Sequence, residues 1–69
     1  MRSTVKWFHN RLGYGFINHK DNQDVFAHYS NIIQDGYKTL EEGQEVEYQL
    51  LETAKGLQAI KIIPIKEVK

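Results

Sequence analysis

Apolar and polar residues alternate along much of the chain, and the alternation is broken at short intervals. Thr4-Val5-Lys6-Trp7-Phe8-His9 is rich in β-branched and aromatic residues, which suit a half-buried pleated surface. Tyr14-Gly15-Phe16-Ile17-Asn18-His19 follows after Asn10–Gly13. Asp24-Val25-Phe26-Ala27-His28-Tyr29 follows the polar turn Lys20–Gln23. Runs at this spacing of roughly 8–12 residues predict a β-meander. Ser30-Asn31-Ile32-Ile33 predicts one helical turn with Ser30 as its cap, and Gln34 to Gly43 reads as a loop holding Tyr37 and Leu40. The composition of Gln44–Glu52 suits a helix. Its pattern suits a strand, because Val46, Tyr48 and Leu50 alternate with Glu45, Glu47 and Gln49. Strand is the better reading, because the turn Thr53–Gly56 leads into another alternating run, Leu57–Ile63. Five strands without a substantial helix in 69 residues predict a small barrel, a form that removes most exposed edges.

The alternation also assigns faces. Along the second and third strands Ile17, Val25 and Ala27 share one side, and Tyr14, Phe16, Phe26 and His28 share the other. A lone aromatic on a strand ordinarily belongs to the core. Four ring-bearing side chains on one face, with aliphatics on the opposite face, change that reading, because a domain this small has one core. Ile17, Val25, Val46, Leu50, Ile60 and Ile62 are enough to fill it. The rings are then expected to form an outward platform, with Gly15 permitting close approach between them. Exposed aromatic patches mark binding surfaces. Nucleobases suit such a patch, since every base has a π-face.

Composition narrows the partner. The chain is 41% hydrophobic and 26% charged, which argues against disorder, and 69 residues point to a single domain. There is no cysteine, which excludes disulfides and thiolate metal sites. No apolar run approaches the roughly 18 residues of a membrane span, and Met1–His9 contains no leader-like apolar stretch, so a cytoplasmic location is expected. Net charge is zero, but residues 1–30 carry four basic side chains against two acidic, and residues 31–69 carry five against seven. All three histidines and most aromatics fall in the more basic part. Such a balance argues against holding nucleic acid chiefly by charge and leaves stacking open.

Gly13-Tyr14-Gly15-Phe16-Ile17 resembles the first ribonucleoprotein-type motif, basic-Gly-aromatic-Gly-Phe-aliphatic. Val25-Phe26-Ala27-His28-Tyr29 resembles the second motif in its cold-shock form, Val-Phe-Val-His-Phe. Val5-Lys6-Trp7-Phe8, the segment Gly36–Gln44 and Gly56-Leu57-Gln58-Ala59 resemble the opening, long loop and last strand of the bacterial cold-shock protein family. The likeness runs from Val5 to Ile62 without gaps. It implies an all-β, five-stranded antiparallel OB-type barrel that binds single-stranded RNA and DNA with little sequence preference. Carried over residue by residue, the implied binders are Lys6, Trp7, Phe8, Tyr14, Phe16, Phe26, His28, Tyr29 and Tyr37. Arg11 and Lys38 flank them as further cations. Strict alternation sets Trp7 with Val5, so its place among the binders rests on the resemblance alone. The implied role is an RNA chaperone that needs no cofactor.

The chain also departs from the family pattern. Leu12 replaces a basic residue, Thr4 a frequent lysine, His9 the usual asparagine and Leu57 a usual proline. Fewer cations imply weaker phosphate attraction, and Leu12 is expected to be exposed. The apolar tail Ile62–Ile65 is expected to pack on its own barrel, leaving a monomer, with pairing of two chains as the other outcome. Among competing readings, an RNA-recognition-motif domain needs two helices that are missing here. A metal enzyme needs closely spaced ligands, and the three histidines do not supply them. An SH3-like module gripping proline-rich peptides remains the alternative. Such grooves are usually rimmed by acids, whereas Lys6, Arg11 and Lys38 flank this one.

Overall fold

The computed structural model describes residues 1–34, Gly36 and 38–65. Five strands form: β1 (Arg2–His9), β2 (Tyr14–His19), β3 (Gln23–His28), β4 (Glu45–Thr53) and β5 (Gly56–Pro64). They close into a barrel in the order β1-β2-β3-β5-β4. The polar turn between β2 and β3 is a short 3-10 turn, Lys20–Asn22. Asp21 and Asn22 take positive φ there, a conformation these two residue types tolerate.

The barrel is mixed rather than wholly antiparallel. β3 and β5 run parallel, with Phe26 opposite Gln58, and an isolated parallel bridge joins Ile32 to Ile62. The reason is topological: five strands in a closed ring cannot alternate direction all the way round. The long connection from β3 to β4 places β4 antiparallel to β1, and the β4–β5 hairpin then turns β5 into the direction of β3.

The core holds Val5, Ile17, Val25, Ala27, Ile32, Leu40, Val46, Tyr48, Ala59 and Ile62, each 2% exposed or less. Burial of each large aliphatic side chain contributes about 1.5–3 kcal/mol, which matters in a chain with no covalent staple. Two residues expected in the core lie elsewhere. Ile60 is half-buried, because the register slips between Glu47 and Gln49, leaving an extra β5 residue opposite Tyr48. Lys61 takes φ 50° at that bulge. The inward sequence Leu57, Ala59 is thereby rephased to Ile62. Leu50 is half-buried and packs against the edge of the core.

The helical turn after β3 begins two residues earlier than expected, as a 3-10 turn over Tyr29–Asn31. Its cap is therefore His28, whose ring accepts a hydrogen bond from the Ser30 amide, and Ser30 lies inside the turn. The apolar tail stays on its own barrel: Pro64 lies opposite Val46, and the Ile65 amide donates to the Glu45 carbonyl at 2.9 Å.

Candidate nucleic-acid interface

β2 and β3 are paired without slippage, so their side chains meet in register: Tyr14 with His28, and Phe16 with Phe26. Ring centroids lie 5.8 Å apart for Phe16 and Phe26 and 6.0 Å for Tyr14 and Phe26. These separations fall in the range where aromatic pairs attract one another. Phe26 continues to His28 at 6.4 Å in a stacked arrangement, and His28 meets Tyr29 at 4.6 Å. The rings are half-buried or exposed, whereas Ile17, Val25 and Ala27 on the reverse side are fully buried. The platform faces outward, as the alternation implies.

Trp7 joins it through a bulge. β1 pairs Val5 with Ile17 but Trp7 with Phe16, so the register shifts by one residue and Lys6 is the extra one. An extra residue reverses the facing of everything beyond it. Val5 thus enters the core while Trp7 lies 5.4 Å from Phe16 and 5.8 Å from Tyr14. At 39% exposure, Trp7 still offers a large open face.

The same shift separates Phe8 from the ring set. Phe8 lies opposite Gly15, is half-buried and packs against the core. A Cβ on Gly15 would stand 2.2 Å from the Trp7 carbonyl oxygen and 2.6 Å from the Phe8 Cα. Only glycine lets β1 lie this close beneath the platform. Gly13, at φ +81°, fills a related role: a Cβ there would meet the Tyr29 ring at 2.7 Å. Tyr29 is tied to the same turn through its amide, which donates to the Gly13 carbonyl at 2.9 Å.

The polar surroundings are specific. The Lys6 ammonium sits 3.0–3.1 Å from both oxygens of Asp24, and both side chains remain largely exposed. Any anion approaching Lys6 would have to compete with that carboxylate. The His28 Nδ1 accepts from the Ser30 amide at 3.3 Å and lies 2.8 Å from the Ser30 hydroxyl. In the neutral ring the proton is therefore on Nε2, the nitrogen left free. Arg11 and Lys38 are exposed, on the β1–β2 turn and the long loop. Thr39 of that loop hydrogen-bonds Asn10, tethering the loop beside the turn. Leu12 is 58% exposed, as expected. Tyr37 lies outside the described residues.

Three neighbours of the platform have no place in the sequence-derived set. Asp24 is two residues before Phe26, and alternation alone puts it on the ring face. Gln58 meets Phe26 across the parallel pair, and Lys55 lines a recess with both. No local pattern announces the last two. Among the described residues no group of three or more His, Asp or Glu side chains is placed to hold a metal, and no helix is long and apolar enough to cross a membrane.

These features define a class: a small OB-type barrel with an aromatic outer face. The comparison with known families agrees. The 'Cold-shock' DNA-binding domain matches residues 1–65, and the chain belongs to that family. Its members bind nucleic acid and are not enzymes. The chain is 49% identical over 65 residues to the cold shock-like protein CspC of Bacillus cereus, covering 94% of this chain and 100% of that one. It is 48% identical over 64 residues to the cold shock protein CspA of Staphylococcus aureus strain USA300, covering 93% and 97%. Among solved structures, Drosophila Unr CSD456 shares the fold with a TM-score of 0.71 at 20% identity. The match covers 94% of this chain and 26% of that one.

Proposed function

We propose that the protein binds single-stranded RNA and DNA by stacking bases on Trp7, Tyr14, Phe16, Phe26, His28 and Tyr29. The observation that carries this reading is the continuous outward ring surface across three strands, with centroids 5.4–6.4 Å apart from Trp7 to His28. Stacking tolerates any base, so sequence preference is low, and each stacked base contributes about 1–3 kcal/mol. Lys6, Arg11 and Lys38 meet phosphates. Phe8 and Tyr37 belong to the same proposed set, Phe8 at the platform's inner margin. A strand held this way cannot pair, so binding alone shifts an RNA from folded to open forms without ATP. In this reading the protein acts as a monomeric RNA chaperone in the cytoplasm.

The test monitors Trp7 fluorescence while oligothymidine, oligouridine and a polyproline peptide are titrated separately. Both oligonucleotides quench, and the peptide does not. With about two to three phosphate contacts, the log–log salt slope is near −2 at the single-strand value of about −0.7 per contact. Quenching by the peptide alone makes the surface a peptide groove. A slope steeper than about −5 makes charge, rather than stacking, the main source of affinity.

A further inference from the structure

At the end of the barrel where β2 turns into β3 lies a second concave site, an open surface recess of about 720 Å³. Leu50 and Leu57, both half-buried, form its floor, and His19 lines one side. Lys20 and Lys55 stand at its rim from opposite turns, and Glu52 is the acid among the lining residues. The walls are held in place. The His19 Nδ1 and the Tyr48 hydroxyl share a 2.7 Å hydrogen bond, which leaves Nε2 free. The Thr53 hydroxyl donates to the Gly56 carbonyl at 2.8 Å and accepts from the Lys55 amide at 3.2 Å, fixing the β4–β5 turn.

This cavity is continuous with the platform. A smaller recess of about 260 Å³ is bounded by Phe26 and Gln58 and shares Thr53, Lys55, Gly56 and Leu57 with the larger one. Gly56 lies between the two, and a Cβ there would meet nothing within 4 Å, so the saddle is open. The chemistry matches a nucleotide: an apolar floor and an imidazole for the base, and two ammonium groups for its phosphates.

We propose that this cavity is a second nucleotide site, taking the part of a bound single strand that runs past Phe26 and over the β4–β5 turn. The assignment rests on the reading of the platform as a base-stacking surface. It extends the footprint from the ring face onto the barrel end. It also gives Lys20, His19 and Leu57 a role in length dependence, while the rings govern binding of short strands.

The experiment compares a six-nucleotide and a ten-nucleotide oligothymidine with the wild type and Lys20→Glu. Trp7 fluorescence reports the platform, and NMR signals of the His19 imidazole and Leu57 methyls report the cavity. Both oligonucleotides quench Trp7, but only the longer one moves His19 and Leu57. K20E binds the six-mer as the wild type does and the ten-mer about fivefold more weakly at low salt. For the wild type, the ten-mer salt slope is steeper than that of the six-mer by about 0.7–1.4, one or two phosphate contacts. Unmoved cavity signals with normal Trp7 quenching overturn the second site and leave the platform intact. An equal loss with both lengths in K20E reduces Lys20 to a general charge effect and also overturns it. Cavity signals that move without Trp7 quenching break the proposed continuity. Absence of quenching by either strand sinks the platform reading itself.

Discussion

The two faces of β2 and β3 differ completely in burial although their residues alternate one by one. Ile17, Val25 and Ala27 are fully buried, while Tyr14, Phe16, Phe26 and His28 are only partly covered. The inner face is small and aliphatic and bears on stability. The outer face is large and aromatic and, in the proposed function, is where bases stack. Within one strand, neighbouring positions therefore have separable consequences, and substitutions at adjacent residues can test the division directly.

Gly15 is the harshest test, because it lies between two platform rings yet belongs to the inner side. Gly15→Ala drives a methyl into the backbone of Trp7 and Phe8. We expect a loss of about 3 kcal/mol or more, a large part of what a domain this small possesses, measured by urea unfolding. Next comes the pair Val25→Ala and Phe26→Ala. The first costs about 2 kcal/mol of stability through a cavity and leaves affinity nearly unchanged. The second weakens oligonucleotide binding by about 1–3 kcal/mol with a smaller change in melting temperature. If Phe26→Ala unfolds the protein and Val25→Ala does not, the two faces have been assigned the wrong way round.

Tyr48 is an aromatic on the buried side, and burial pushes its hydroxyl above the ordinary value of 10.0. The fold therefore disfavours the ionised form. Its contribution is intact below pH 10, and stability falls as pH rises through the unfolded value toward the folded one. Tyr48→Phe loses the His19 hydrogen bond, about 1 kcal/mol at neutral pH, and its melting temperature declines less between pH 9 and pH 11. An equally steep alkaline decline in the variant removes Tyr48 as the cause. The smallest effect is expected at Leu12, beside the outer face. Leu12→Lys adds one phosphate contact, tightening binding several-fold at low salt and steepening the salt slope by about 0.7. The gain fades at high salt. Because Leu12 is exposed, the melting temperature stays put; a lower one without tighter binding rejects the added contact.

Alternation reads correctly where a strand pairs without slippage, and it fails at bulges. Tyr14, Phe16, Phe26 and His28 are legible in the sequence because β2 and β3 keep register throughout. Trp7 is not legible from alternation, because the extra residue Lys6 reverses the facing of the positions beyond it. Resemblance to the family groups it with Tyr14 and Phe16, and the structure sets it beside both rings. The shift at Lys61 misplaces Ile60 in the same way. A one-residue insertion leaves little trace in a hydrophobic pattern, since lysine suits an exposed strand position and a bulge equally well. Gln58 and Lys55 are hidden for a different reason. They reach Phe26 only because β5 lies beside β3, and that depends on closing the whole ring. The parallel pair itself follows from a count of five strands, so the antiparallel expectation conflicts with closure on arithmetic alone.

The closing seam also has a kinetic consequence. Short turns can bring β1, β2 and β3 together early. The ring is complete only when β5 reaches β3 and the Met1 ammonium reaches the Tyr48 carbonyl, groups 47 positions apart. Contacts between distant segments are rewarded only after the entropy of closing the intervening loop has been lost. Closing this seam is therefore the expected slow part of folding, because its contacts are the most distant in sequence. A chain with β1–β3 paired and the seam still open would present the aromatic hairpins on both sides, a surface suited to association with other unfinished chains.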